Sequence, residues 1–171
     1  ISDWGNSHYL PILKGRLGAL VSEQGAPLVN LVELSSTVPP FDIYTMSFIV
    51  KSTYNAFPKE TLHLLGVVSE PYKNNTMTLA YYKGHYFLGI DDGRFSLIFD
   101  SNDFIIKNMP LPDKYSTFTF PFYAAEAVKV ISKGLFDKLE DAPLQRFVKE
   151  MPAITDNSIT GKIVFIDSFG N

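Results

Sequence analysis

The first side chain able to do chemistry comes three residues into the chain, where Asp3 follows Ile1-Ser2 and precedes Trp4-Gly5. An apolar residue leading into a carboxylate, an aromatic and a glycine reads as a strand end and a tight turn, with Asn6 or Ser7 free to cap a following helix. In an open α/β sheet, ligands sit above the carboxyl ends of the strands, which is where this reading puts Asp3. A carboxylate there can accept two hydrogen bonds from a vicinal diol such as a ribose. The plainer reading is that Asp3 joins Asn6 and Ser7 in capping the helix, and this stretch alone leaves both open. The same sheet edge would collect Trp4 to His8, Phe41, Val68-Ser69-Glu70 and the segment around Thr119. Spacing alone makes these a small-molecule site without a named reaction.

Composition excludes several chemistries. With no cysteine there is no disulfide, thiolate metal site or thiol nucleophile. The three histidines, His8, His63 and His85, are not paired at metal-ligand spacing, so no metal is expected. His63 lies inside an apolar run and reads as a core histidine. No glycine-rich phosphate loop and no Gly-x-Ser-x-Gly elbow occurs, and no cofactor is implied. A formal charge of -3 over 171 residues, without any Lys/Arg cluster, argues against a nucleic-acid partner. No apolar run approaches the ~20 residues of a membrane span. Asn74-Asn75-Thr76 reads as a polar turn, no leader sequence is seen, and a cytoplasmic protein is expected.

The elements that must hold these residues follow in order. Tyr9, Leu13, Leu17, Leu20 and Val21 recur at helical spacing, and Leu28 to Leu34 is β-rich enough for a strand, giving a β-α-β start. Ser35 to Pro40 is a loop, Asp42 opens a second helix, and Thr61 to Val68 is the most apolar strand, expected at the centre of the sheet. Met77 to Tyr82 and His85 to Ile90 flank Lys83-Gly84 as a hairpin. Asp91-Asp92-Gly93 reads as a turn rather than a metal site. Phe104 to Lys107 is a short strand, Phe122 to Ile131 and Pro143 to Glu150 are helices, and Gly161 to Asp167 is a last strand. The expected fold is α/β, with a mixed, mostly parallel, Rossmann-like sheet flanked by helices. Both ends read as trimmed: residues 1–160 would form one α/β domain and residues 161–171 the start of a second.

In order along the chain, Ser2-Asp3-Trp4-Gly5, Val38-Pro39-Pro40-Phe41-Asp42-Ile43, Phe57 to Leu64, Gly84 to Gly93 and Ile166-Asp167-Ser168-Phe169-Gly170-Asn171 resemble the S-adenosylmethionine hydroxide adenosyltransferases, with their fluorinase and chlorinase relatives. Each piece is short, and their colinearity carries the resemblance. It implies S-adenosylmethionine as substrate or ligand, a C-terminal β-barrel that this chain barely enters, and a homotrimer whose site lies between neighbouring subunits. It further implies that Asp3 holds the ribose hydroxyls, Phe41 walls the sugar, Phe169 stacks on adenine and Asn171 bonds its edge, with Trp4, Val68 and Asp167 beside them. The hydrolytic members activate water with an aspartate, an arginine and a histidine. Here the corresponding positions carry Val68-Ser69-Glu70, no arginine between Pro71 and Tyr82, and Thr119, while His8 takes a position that is acidic in the family. The resemblance thus implies an adenosine-forming hydrolase with altered catalysis. It leaves a silent ligand-binding module and a halide-using enzyme as alternatives, with Ser69, Glu70 and Thr119 as the candidate catalytic groups.

Overall fold

The computed structural model describes residues 1–24, 30–72, 75–110, 117–147 and 151–170. A four-stranded sheet in the order β1-β3-β2-β4 is built from β1 (Leu62–Leu64), β2 (Met77–Tyr82), β3 (His85–Ile90) and β4 (Ile105–Asn108). The β2–β3 and β2–β4 pairs are antiparallel and β1–β3 is parallel, so the sheet is mixed as expected, but these four strands are not mostly parallel, because the tight Lys83-Gly84 turn forces β2 and β3 to run antiparallel. The expected hairpin forms with the expected bounds: Lys83 and Gly84 both adopt positive φ, 48° and 85°, the twist a two-residue hairpin turn requires.

Beyond β1 the sheet continues through backbone that is too irregular to count as strand. Ser2 bridges Gly66 in parallel, and Gly66 N–H donates to Ile1 O at 2.8 Å. On its other side Ser2 N–H donates to Ser35 O at 2.9 Å and its carbonyl accepts Val38 N–H at 3.3 Å. The Thr61–Val68 run therefore lies between the N-terminal segment and β3, in the interior position its apolar character predicts. Gly66 is required there, because a Cβ would stand 2.8 Å from Trp4 Cζ2 and 3.2 Å from Ile1 O.

Helix α1 (Tyr9–Gln24) buries Leu13, Leu17 and Leu20, and α4 (Phe120–Ser132) buries Tyr123, Ala124, Ala127 and Val130; both share a core with Leu79, Leu88 and Ile90 of the hairpin. On the other face α2 (Ile43–Thr53), through Met46 and Val50, and the short α3 (Arg94–Ile98), through Phe95 and Ile98, pack against Leu65, Val67, Ala80 and Phe87. Helices thus cover both faces of a mixed sheet. No helix among the described residues is long and apolar enough to cross a membrane.

Three expected elements differ. Residues 30–34 are irregular rather than strand, with Leu28 and Val29 outside the described residues. Residues 143–147 form no helix, and residues 161–167 form no strand. Instead β5 (Ala153–Ile154) and β6 (Ile159–Thr160) make a small exposed hairpin, apart from the main sheet. An apolar stretch becomes strand only where a neighbouring backbone offers a ladder, which local composition does not report.

Candidate functional site

Asp3 ends the N-terminal segment, beside the carboxyl end of β1. Its Oδ2 accepts the Phe41 N–H at 3.0 Å, so Asp3 ties the first loop to the entrance of α2. The capping left open by sequence is done by Ser7, whose Oγ accepts Tyr9 N–H at 3.3 Å. Phe41 carries φ 64° and its ring is 75% exposed. Next to it Asp42 caps α2, accepting the N–H groups of Tyr44 and Thr45 and the Thr45 hydroxyl. Burial alone would raise the Asp42 carboxyl, and the hydrogen bonds from Thr45 and Tyr44 outweigh it, leaving it below the ordinary aspartate value.

Across from Phe41 the chain leaves the sheet through Val68, at φ 49°. A β-branched residue in this region is a genuine outlier, and such strain gathers at functional sites. Phe41, which bonds Asp3, and Val68, two residues past the Gly66 that bridges Ser2, thus both hold left-handed backbone. Val68 delivers Ser69 and Glu70 toward the start of α4. There the Glu70 carboxylate accepts Thr119 N–H at 2.9 Å, Phe120 N–H at 3.1 Å and the Thr119 hydroxyl at 2.5 Å. Glu70 and Thr119 are thus in direct contact, and Glu70 serves as an external cap and counter-charge for α4. Replacing Glu70 by alanine is expected to cost about 1–2 kcal/mol in urea unfolding, with glutamine costing less because it keeps an acceptor. Were Glu70 instead the base of a reaction, glutamine would abolish turnover and leave stability almost untouched.

An aromatic row closes this edge. Trp4 meets Phe118 and Phe120 edge-on at 5.1 and 5.5 Å, Phe118 meets Tyr9 at 4.5 Å, and Tyr9 carries the exposed His8 ring at 4.4 Å. The structure therefore gathers Asp3, Trp4, Phe41, Val68, Glu70 and Thr119, with His8 on the rim. Asp167 and Phe169 belong to a tail that runs over α2, where Val164 O shares the Thr45 hydroxyl with Asp42 at 2.9 Å and Phe165 stacks on Phe48 at 5.2 Å. Asp167 Oδ1 accepts Phe169 N–H at 2.8 Å, and the Phe169 ring is 89% exposed. Asn171 lies outside the described residues. A cavity of about 500 Å³ lies between α1, α4 and Thr61 to Leu64; Trp4 lines it, but Asp3, Phe41, Val68 and Thr119 do not. Among the described residues no cluster of three histidine or acidic side chains could hold a metal.

Sequence reading missed Arg94. It treated Asp91-Asp92-Gly93 as a turn only, whereas Arg94 is fully buried and paired with Asp92 behind the Val67–Val68 strand end. The signal was an arginine opening the otherwise apolar run Phe95 to Phe99.

The model of the SAM hydroxide adenosyltransferase N-terminal domain family matches residues 1–138. No curated protein matches. Among solved structures, an uncharacterized conserved protein from Thermotoga maritima is similar with a TM-score of 0.80 at 18% identity, covering 98% of this chain and 66% of that one. A conserved hypothetical protein from Thermus thermophilus is similar with a TM-score of 0.59 at 20% identity, covering 86% of this chain and 60% of that one. These likenesses are of fold, and the chain covers less than two thirds of either structure.

Proposed function

The chain belongs to the SAM hydroxide adenosyltransferase family through its N-terminal domain, and from that premise we propose that it binds S-adenosylmethionine at the carboxyl edge of its sheet and hydrolyses it slowly to adenosine and methionine. The observation that carries the reading is Asp3, a carboxylate fixed by the N–H of Phe41, itself a backbone outlier. A carboxylate offers about four acceptor positions, so one bond to Phe41 N–H is compatible with two more from ribose hydroxyls. Phe41 walls the sugar, and Trp4 and Val68 line the floor.

In the reaction a water oxygen bonds to the ribose carbon attached to sulfur. The carbon–sulfur bond breaks, its electron pair returns to sulfur to give the neutral thioether of methionine, and the water proton leaves to solvent. Sulfonium is already a good leaving group, so the protein mainly aligns the water and strips its solvation. Ser69 and the Thr119 hydroxyl are the groups assigned to hold that water. Weak catalysis follows because Glu70, adjacent to Ser69 in sequence and bonded to Thr119, is engaged by three donors.

The exposed rings of Phe41 and Phe169 support a site completed between copies. In this reading Asp167, Phe169 and Asn171 of one subunit meet the adenine held by the next in a homotrimer, and residues 161–171 open a second, barrel domain. His8, on the exposed rim, is a further ligand-contacting residue in this reading.

A second reading, a silent adenosyl-binding module, is favoured by the engagement of Glu70. Incubating the whole protein with S-adenosylmethionine and separating adenosine and methionine by chromatography distinguishes them. Trp4, the single tryptophan, reports binding by fluorescence. Slow release of both products is the expected result. Saturable binding without turnover selects the silent module, a halogenated adenosine formed in chloride or fluoride selects halide as nucleophile, and neither binding nor turnover ends all three.

A further inference from the structure

Among the described residues Arg94 is the largest fully buried side chain, at 0% exposure. Asp92 grips it with both oxygens, Oδ1 accepting Nε–H and Oδ2 accepting Nη2–H at 2.8 Å each. The rest of the fork is spent on one strand end: Nη1–H donates to Val67 O at 2.7 Å and to Leu65 O at 3.3 Å, and Nη2 stands 3.5 Å from Val68 O.

A buried ion pair is a poor device for stability, because desolvating both charges offsets their attraction and an apolar pair of similar volume often does as well. It does fix geometry: a planar fork places several carbonyls at once. The carbonyls it places belong to the residue held at φ 49° and to that residue's predecessor. A β-branched residue keeps such a conformation only where its surroundings over-determine it. Arg94 does so from within the core, and Glu70 on the α4 N-terminus does so from the far side of Ser69.

We propose that Arg94, clamped by Asp92, is a positioning residue that holds the Val67-Val68-Ser69 strand end in the shape that meets the ligand. The inference rests on the adenosyl-site reading above. It predicts that ligand affinity depends on Arg94 through the Val68 backbone rather than through stability.

The test uses the whole protein and the paired variant Asp92→Asn/Arg94→Met, which removes both charges, keeps the shape of residue 92 and leaves an unbranched apolar stem at residue 94. At a temperature where circular dichroism shows it folded, affinity for S-adenosylmethionine and adenosine is expected to fall about tenfold or more, with amide exchange at Val68 and Ser69 faster by a similar factor without ligand. Glycine takes positive φ without help, so in a Val68→Gly background the same pair of substitutions should change affinity by less than about threefold. If the wild type binds, affinity of the paired variant within about twofold of it overturns the proposal, as does a tenfold loss that persists undiminished in the Val68→Gly background. If the wild type binds neither ligand, the adenosyl reading fails by itself, and unchanged exchange at Val68 and Ser69 overturns the clamp separately.

Discussion

Asp3→Ala is expected to weaken binding of S-adenosylmethionine and adenosine by about 100-fold, read by titration calorimetry or by Trp4 fluorescence. Two hydrogen bonds from ribose hydroxyls to a charged acceptor contribute about 1.5–3 kcal/mol each at best, and tenfold in affinity corresponds to about 1.4 kcal/mol. Part of the loss comes through Phe41, because alanine also releases the N–H that Asp3 holds at 3.0 Å. Asp3→Asn separates the two contributions. It retains an oxygen for Phe41 N–H while removing the charge, so its effect should be smaller, on the order of tenfold. An Asp3→Ala protein that binds within about twofold of wild type would remove the sugar-holding role and the functional reading with it.

Acid should destabilise the fold well before the carboxylates titrate. His63 is 6% exposed, its Nε2 lies 3.3 Å from Nδ1 of His85, and the rings of Tyr54, Phe57 and Phe87 surround it. Burial, then the neighbouring His85, pushes its pKa down from 6.5 to about 4. His85 is also lowered, by burial first and then by Lys59, and its Nε2 is buried without a partner. Between pH 6.5 and about 4 the unfolded chain therefore binds a proton at position 63 that the folded protein refuses. Stability from this group is complete above pH 6.5, falls as pH drops through that window and levels off below it. His63 alone accounts for about 3 kcal/mol, with His85 adding in the same direction. Asp91 opposes it, since its carboxyl is raised above 3.8 mainly by burial and its protonation favours the fold in acid. Urea midpoints measured from pH 7.5 to 4 check the expectation, and His63→Phe should flatten the curve. A wild-type profile without a fall below pH 6.5 would mean that the pair stays solvated.

The fold followed from local pattern wherever the pattern was complete within one element. Tyr9, Leu13, Leu17 and Leu20 sit on one helix face, and two β-rich runs around Lys83-Gly84 pair in the register that a two-residue turn dictates. The early α/β reading needed little more, and the colinear motifs led to the family. Two of the failures were apolar stretches, residues 30–34 and 161–167, where β-propensity was present and a ladder was not; the third was the helix expected from Pro143, absent over residues 143–147.

By itself the sequence determined the first helix, the hairpin around Lys83-Gly84 and the interior place of the Thr61–Val68 run. Tertiary structure alone decided what the site residues do. Asp3 binds a backbone group 38 residues away, Glu70 caps a helix 49 residues on, and Arg94 holds a strand end 27 residues behind it. Such bonds depend on where two distant segments cross and on the few ångströms over which a hydrogen bond acts, and one-dimensional spacing carries neither.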